Sequence, residues 1–243
     1  MDLLEAAASG GARHPWEFSR RDSLVRVLEQ LRPWEDAADI GAGDRFFTAA
    51  LRQLTRGTVH AVDVHYEHTG LVDGIHLARD FDGMPDGSVD CVVMMDVLEH
   101  VEDEQVLLRE VHRVLRQKGV VLVTVPAFSW LYSAHDAFLR HFRRYSRRQL
   151  RTVVDGHGFV VEEAFYFYTG PFAARAVQVA FERFRRPGEQ RGVGNWPFEL
   201  RHPFTSVVKA VLDADFRVGR AAARMGLAVP GLSLCAVCRR TSV

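Results

Sequence analysis

The stretch AADIGAGDRFF, residues 37–47, places two closely spaced glycines between two carboxylates. Glycines at this spacing let the backbone approach a nucleotide, and a dinucleotide site requires a third glycine three residues after the second. Phe46 stands at that position, where its bulk would obstruct close helix–strand packing. Asp39 and Asp44 put negative charge where a diphosphate would lie. The loop of Gly41 and Gly43 therefore disfavours a nicotinamide dinucleotide and favours a cofactor with no phosphate and a cationic amino group.

A further carboxylate, Asp63, follows Gly41 by 22 residues, at the end of a predicted strand. An acid at about this distance beyond a glycine loop accepts hydrogen bonds from ribose hydroxyls. Each feature is a weak signal alone. Together they indicate an adenosine cofactor that lacks phosphate.

Residues 135–145, HDAFLRHFRRY, hold a second group of reactive side chains. His135 can act as a general base toward an oxygen or nitrogen nucleophile, with Asp136 orienting its ring. Arg143, Arg144 and Tyr145 can hold an anionic or hydroxylated substrate group. The structural alternative is that His135 and Asp136 cap a loop while the arginines solvate the start of the next helix.

His100, in the segment LEH, is a candidate substrate contact, with simple packing as the alternative. A metal is not predicted, because no acidic ligand set is evident and His135 with His141 alone does not make a site. Cys235 and Cys238 form a lone C-x-x-C within a predicted strand, where residues three apart face opposite sides. They are expected to be core residues, because no second pair completes a zinc site.

The elements that must position these residues follow from the hydrophobic pattern. Seven strands are predicted, in DAADIG, TVHAVDV, GIHLARD, VDCVVMM, VVLVTVP, FVVEEAFYFY and LSLCAVCRR. Helices alternate with them, and the strongest is expected from Glu102 to Lys118, with Gly119 as its terminating glycine. This order predicts an α/β fold with a Rossmann-like, doubly wound, seven-stranded sheet, whose functional loops meet at the carboxyl edge of the strands.

One domain is expected over residues 1–243, with two additions to the sheet. Residues 1–33 form a helical lead-in, whose HPWEFSRR segment is predicted to fold over the cofactor. Residues 169–230 form a helical insertion before the last strand, expected to act as a lid, a dimer contact or, through its arginines and Trp196, a contact with an anionic membrane surface. The lid or packing role is favoured over the membrane.

Composition is ordinary for a globular protein, with 47% hydrophobic and 26% charged residues and no net charge. Residues 1–139 carry 13 Lys and Arg against 23 Asp and Glu, whereas residues 140–243 carry 18 against 8. The two parts either face different partners or attract each other within one fold. The absence of an aromatic-basic pattern argues against a nucleic-acid partner. No signal-peptide pattern is evident at the N-terminus, so a cytoplasmic location is expected.

The motifs ADIGAGDRF, HAVDV, DGSVDCVVMMDVLEHV and REVHRVLRQKGVVLVTVP resemble, in order and spacing, those of class I S-adenosylmethionine-dependent methyltransferases. The bacterial methyltransferase type 11/12/23 group is the most similar, over roughly residues 16–168. The resemblance implies the class I methyltransferase fold and S-adenosyl-L-methionine as cofactor. Arg45 stands where that family often has a third small residue, which affects the expected loop conformation and not the cofactor class.

The resemblance also assigns roles at matching positions. It implies that Asp39, Gly41 and Gly43 flank the methionine part of the cofactor. The remaining implied cofactor contacts are Asp63 at the ribose, Val64 beside the adenine, Asp80 and Phe81 at the adenine edge, and Met95 and Asp96 near the sulfonium.

The predicted activity is methylation of a small molecule at oxygen or nitrogen, in secondary or specialised metabolism. One alternative is a lipid- or glycan-linked substrate at a membrane surface. Another is a protein that binds the cofactor without transferring methyl, such as a sensor or a cyclase. Nucleobase methylation is disfavoured because MDVLEH replaces the Asn-Pro-Pro-Tyr type motif of those enzymes.

Overall fold

The computed structural model describes residues 13–184, 198 and 202–241. Eight strands form one sheet in the order β3-β4-β2-β1-β5-β6-β8-β7. The strands are β1 Ala37–Ile40, β2 Val59–Val62, β3 Gly70–Val72, β4 Ile75–Ala78, β5 Val89–Met95, β6 Leu115–Pro126, β7 Phe159–Phe167 and β8 Ser233–Arg240. The α-helices are α1 Pro15–Gln30, α2 Phe46–Leu54, α3 Glu104–Val114, α4 Ala134–Phe138, α5 Arg147–Asp155, α6 Thr169–Phe184 and α7 Pro203–Arg224.

The seven predicted strands are confirmed, and β1, β2, β4, β5 and β6 run parallel. The additional strand, β3, has three exposed residues and pairs antiparallel with β4 at the sheet edge. It has no buried face, so its sequence lacks the periodic apolar signal on which a strand prediction depends. β8 runs antiparallel between β6 and β7, which places the expected helical insertion, α6 and α7, immediately before the last strand.

The sheet separates two layers of core, one on each face. Cys238 packs in one layer with residues of α3 and α5, whereas Cys235 packs in the other with residues of α1, α2 and α7. Both thiols and that of Cys91 are free and buried. The two cysteines of the C-x-x-C are thus core residues on opposite faces.

Helix α3 is shorter than the predicted span from Glu102 to Lys118. Asp103 caps its first turn through Gln105 N, and the helix ends at Val114. The next residue, Leu115, has an extended backbone conformation. It is fully buried and pairs with Val89 of the neighbouring strand. Tertiary burial of Leu115 therefore ends the helix one turn early, and Gly119 lies inside β6 and not at a helix terminus.

Ion pairs join the acidic first part of the chain to the basic second part. Lys209 of α7 lies 2.9 Å from Asp22 of α1, and Arg144 lies 2.7 Å from Asp136. Arg143 also pairs with Glu104. The acidic first part and the basic second part of the chain therefore attract each other within one fold.

The two flanking segments are only partly described. Residues 1–12 of the lead-in and residues 185–197 and 199–201 of the insertion, including Trp196, lie outside the described residues. None of the helices in the described part of the chain combines the length and apolar character that a membrane span requires.

Helix α7 packs against β7 at Gly219, where no side chain fits. A methyl group on Gly219 would clash with the carbonyl oxygen of Tyr166, because the two atoms would lie closer than van der Waals contact allows. We therefore expect Gly219→Ala to lower the free energy of unfolding by about 1–3 kcal/mol through overpacking. Urea denaturation measures the change.

Gly170, in the first turn of α6, is the matched control. A methyl group there meets no atom within 4 Å. Gly170→Ala should leave stability unchanged or raise it by up to about 1 kcal/mol. Equal destabilisation by both substitutions would contradict the close packing of α7.

Candidate functional site

The loop after β1 adopts a conformation that its glycines make accessible. Gly41 and Gly43 have positive φ angles of 68° and 51°, and Arg45, which precedes α2, has a φ of 65°. A methyl group on Gly41 would lie 2.6 Å from the Cγ2 atom of Val97, so the backbone passes directly against the end of β5. The left-handed turns at Gly41 and Gly43 and this close approach explain the two glycines, whereas Arg45 adopts the left-handed conformation as a non-glycine residue.

Asp63 is held by this loop. Gly43 N donates to its Oδ2 atom at 2.8 Å, and His65 N donates to Oδ1 at 2.9 Å. The carboxylate is nearly buried, whereas the side chain of Val64 is 74% exposed. The structure therefore joins the predicted ribose ligand to the predicted glycine loop and places Val64 on the open side.

Asp39, at the end of β1, lies beneath the loop. Its carboxyl group is buried and accepts a hydrogen bond of 2.6 Å from the Thr48 hydroxyl. Burial raises the pKa of Asp39 to about 7, against the opposing effect of the Thr48 hydrogen bond. A cation placed beside Asp39 would favour its ionised form.

Asp96 follows β5, with a positive φ of 54°. It accepts a hydrogen bond of 3.1 Å from Thr124 of β6 and pairs with Arg20 of α1. Burial opposes ionisation, but the charge and hydrogen bond of Arg20 hold the pKa of Asp96 below its usual range. Met95 beside it is partly buried against the core, so the end of β5 faces α1.

Helix α1 and the residues just before it cover the glycine loop with two arginines. Besides the pair of Arg20 with Asp96, Arg13 pairs with Asp44 and stacks over the Phe46 ring at 3.9 Å. The sequence indicated that this segment folds over the loop. It did not identify Arg20 or Arg13, because an arginine on a helix is normally read as solvent-exposed.

Asp80 and Phe81 follow β4, the strand next to β2. Asp80 is exposed and accepts a hydrogen bond from Asp82 N at 3.0 Å. Phe81 is partly buried against the core. They lie at the same sheet edge as Asp63, because β2 and β4 are parallel neighbours.

Asp136, in α4, is fully buried and uses both oxygens within its own segment. Its Oδ1 atom accepts from Arg144 Nε at 2.7 Å and meets His141 Nδ1 at 3.0 Å, while Oδ2 accepts from Ser133 N at 3.0 Å. Burial opposes ionisation, yet the His141 hydrogen bond and the Arg144 charge hold the pKa of Asp136 well below its usual range. Asp136 therefore organises the loop around Arg144 and His141.

His135 lies half-buried in the first turn of α4, and its backbone N donates to the Ser133 hydroxyl at 3.3 Å. The same hydroxyl accepts from Arg175 of α6. Burial, followed by the positive charge of Arg175, lowers the pKa of His135. The imidazole is thus neutral at physiological pH and is approached by the insertion.

Arg143 and Tyr145 meet at one carboxylate. Glu104, at the start of α3, pairs with Arg143 and accepts from the Tyr145 hydroxyl at 2.9 Å. Together with Arg144 they line a cavity of about 370 Å³ at the carboxyl edge, next to α5. Arg148, an exposed residue, lines the same cavity and makes no ion pair among the described residues.

Glu99, absent from the sequence-based candidates, is fully buried in the turn after β5, where its neighbour is His100. The rings of His100 and His141 pack edge to face, with centroids 4.6 Å apart. Burial, followed by the charge of Asp96, raises the pKa of Glu99 well above its usual value. The signal available in the sequence was Glu99 next to His100 at the end of a buried strand.

Comparison with known proteins identifies the family of the chain. The model of the family described as "Methyltransferase domain" matches residues 17–164. A "Probable S-adenosylmethionine-dependent methyltransferase" of Mycolicibacterium smegmatis is 26% identical, and the alignment covers 90% of this chain and 88% of that protein.

Solved structures share the fold. The [4+2]-cyclase SpnF matches with a TM-score of 0.56 and 15% identity, over 93% of this chain and 81% of that one. A phosphoethanolamine N-methyltransferase from Haemonchus contortus, in complex with S-adenosyl-L-methionine, matches with a TM-score of 0.53 and 15% identity, over 91% and 52%.

The raised pKa of Asp39 predicts a pH dependence of stability. Between the unfolded value of 3.8 and the folded value of about 7, the folded state binds the extra proton. The contribution of Asp39 to the free energy of unfolding is therefore present at low pH and lost as pH rises through that window. Relative to Asp39→Asn, the wild type should lose on the order of 3 kcal/mol between pH 4 and pH 8.

Urea denaturation at both pH values measures this difference. Asp82→Asn, at an exposed position, is the control and should follow the wild type. A constant difference between wild type and Asp39→Asn would contradict the buried, protonated carboxyl.

Proposed function

The chain belongs to the methyltransferase domain family and is an S-adenosylmethionine-dependent methyltransferase, and we propose that its acceptor is a small molecule, methylated at oxygen or nitrogen. The observation that carries this proposal is the cavity of about 370 Å³ lined by Arg143, Arg144 and Tyr145. Its volume is that of a small-molecule site. Specialised metabolism and a cytoplasmic location remain predictions of the sequence.

We infer that the cofactor lies across the carboxyl ends of β1, β2 and β5. Asp63 already accepts Gly43 N, and its remaining lone pairs suit the ribose hydroxyls. The ammonium of the methionine part suits Asp39, where its charge would ionise the carboxyl. Val64 and the Asp80–Phe81 turn flank the adenine, and Met95 lies toward the sulfonium. When bound, the cofactor supplies the electrophilic methyl group.

We further propose that Arg20 binds the carboxylate of the methionine part. It is a buried cation at this edge and already pairs with a carboxylate, Asp96. A guanidinium can serve two carboxylates through its fork of donors. Helix α1 then covers the cofactor and excludes water from it.

The acceptor is held, in this proposal, by the rim of the cavity. Arg148 supplies a positive charge that forms no ion pair within residues 13–184 and 202–241, whereas Arg143 and Tyr145 share Glu104. An anionic or hydroxylated group can replace part of the Glu104 interaction. The matching chemistry is therefore a small hydroxylated or amino compound that carries an acidic group.

His135 is proposed as the general base. Its neutral imidazole can accept the proton that the nucleophile releases as the methyl arrives. Asp136 is not retained as the residue that orients His135, because its carboxylate oxygens interact with Arg144, His141 and Ser133. The neighbouring charge of Arg175 disfavours protonation and keeps His135 neutral before transfer.

A second acceptor class is favoured by one observation. Exposed aromatic side chains surround the loop next to the insertion, namely Trp130, Tyr132, Phe138, Phe142 and Phe181. Such residues suit contact with a lipid interface. The alternative is therefore a lipid-linked acceptor that the enzyme meets at a membrane surface. A homodimer contact through the insertion stays a further prediction.

Cofactor binding tests the proposed site. Asp63→Ala and Arg20→Ala should each weaken S-adenosylmethionine binding at least tenfold, because each leaves a polar group of the cofactor without its partner. Calorimetric titration measures the affinity, with NAD as the comparison ligand. Asp155→Ala and Arg26→Ala, both at exposed positions, are the matched controls and should bind as the wild type. If Asp63→Ala bound S-adenosylmethionine as tightly as the wild type, the assignment of Asp63 to the ribose would be wrong.

Methyl transfer tests the acceptor class. Labelled methyl from S-adenosylmethionine should enter a panel of small phenols, hydroxy acids and amines, and not lipid vesicles. Incorporation into vesicle lipid alone, with flotation on anionic vesicles, would support the membrane alternative instead. Tight cofactor binding with no transfer to either panel would support a binding role without methylation.

The same assay examines His135 once an acceptor is found. His135→Ala should lower kcat by about 10² or more. The wild-type rate should fall only below the usual histidine pKa, because the pKa of His135 is lowered, and this acidic limb should vanish in the variant. His68→Ala, at an exposed position, is the control. Full turnover by His135→Ala would refute the base.

A further inference from the structure

Three potential metal ligands converge beside the carboxyl end of β5. One ligand atom from each of Glu99, His100 and His141 lies within 4.8 Å of the other two. Glu99 and His100 come from the turn after β5, and His141 comes from the loop after α4, 41 residues later in the chain. Phe142 N donates to Glu99 O at 2.7 Å, which fixes the two segments together.

Glu99 provides an independent sign that this cluster binds a ligand. Its side chain is fully buried, and neither carboxylate oxygen has a hydrogen-bond partner in the described residues. A buried carboxylate without a partner costs several kcal/mol in either charge state, and native proteins satisfy nearly all such groups. Simple packing therefore does not account for an acid at this position.

The His141 ring has a carboxylate partner on its Nδ1 side, as metal-binding histidines commonly do. Its Nδ1 atom lies 3.0 Å from Asp136 Oδ1, so the carboxylate accepts from Nδ1–H and Nε2 is left with its lone pair. Asp136 is in turn fixed by Arg144 Nε at 2.7 Å and by Ser133 N at 3.0 Å. A carboxylate behind the imidazole sets the tautomer and orientation of a metal ligand.

We propose that Glu99, His100 and His141 bind one divalent first-row transition ion, for which Zn²⁺ is the representative. Two imidazoles and one carboxylate favour such an ion over Mg²⁺, which prefers oxygen ligands. Bonds of about 2.0–2.2 Å bring ligand atoms within about 4 Å of one another, so inward shifts of each ligand atom by up to roughly 0.7 Å complete the site. Three protein ligands leave further positions open.

The open positions give the ion a role in methyl transfer, and this role rests on the proposed function. Glu99 lies three residues after Asp96, at the edge where the methyl donor is placed. A metal ion there binds an acceptor oxygen and lowers the pKa of its hydroxyl. The acceptor then reaches the methyl as an oxyanion, and its proton passes to His135 or to water.

Metal binding is measured on the chelator-treated full-length protein without cofactor, so that its failure is separate from failure of the proposed activity. Calorimetric titration with Zn²⁺ should give one site per chain. Glu99→Gln, His100→Ala and His141→Ala should each weaken binding at least tenfold, and Asp136→Asn should weaken it about 10- to 100-fold. Co²⁺ titration should produce ligand-field absorption bands that Glu99→Gln abolishes.

Two control variants preserve the ligands. Glu102→Gln and His157→Ala alter an acid and a histidine outside the cluster, and both should bind Zn²⁺ as the wild type. His100→Ala keeps the test decisive if Glu99→Gln or His141→Ala does not fold, because His100 is only partly buried. No saturable Zn²⁺ binding, binding unaffected by His100→Ala, or Mg²⁺ binding tighter than Zn²⁺ would overturn the proposal.

Discussion

Buried negative charge at the carboxyl edge of the sheet is the constraint on which the rest of the site depends. Asp39, Asp63, Asp96, Glu99 and Asp136 all end strands or lie in the loops that follow them, and four of the five are buried. A buried carboxylate must be neutralised, hydrogen-bonded or paired. The loops and helices around this edge are arranged largely to meet that requirement.

The groups that pair with or hydrogen-bond to each carboxylate differ. This difference in partners distinguishes the five carboxylates from one another. Asp63 accepts hydrogen bonds from the backbone N–H groups of Gly43 and His65, which hold it against the glycine loop. Asp39 accepts a hydrogen bond from the Thr48 hydroxyl, and burial raises its pKa to about 7. Asp96 pairs with an arginine of α1, a distant segment, whereas Asp136 pairs with Arg144 of its own segment. Glu99 alone of this group has no hydrogen-bond partner in the described residues.

The compensating groups also tie the additions of the fold to the sheet. Arg20 joins α1 to the end of β5, and Arg144 joins the segment before α5 to Asp136. Arg175 links α6 to the Ser133 hydroxyl beside His135. Helix α1, the loop after β6 and helix α6 therefore meet at one edge, although long stretches of sequence separate them. Binding at any one of these groups changes the electrostatic balance of its neighbours.

The sequence by itself determined the sheet, the glycine loop and the cofactor class, because strand periodicity, Gly41, Gly43 and Asp63 act within short segments. It missed β3, which buries nothing, and extended α3 past Leu115, whose burial is a tertiary effect. Only the tertiary structure decided the pairing of Asp96 with Arg20 and the meeting of Glu99 with His141. Pairing between buried charges depends on which distant segments pack together, and no local pattern encodes that distance.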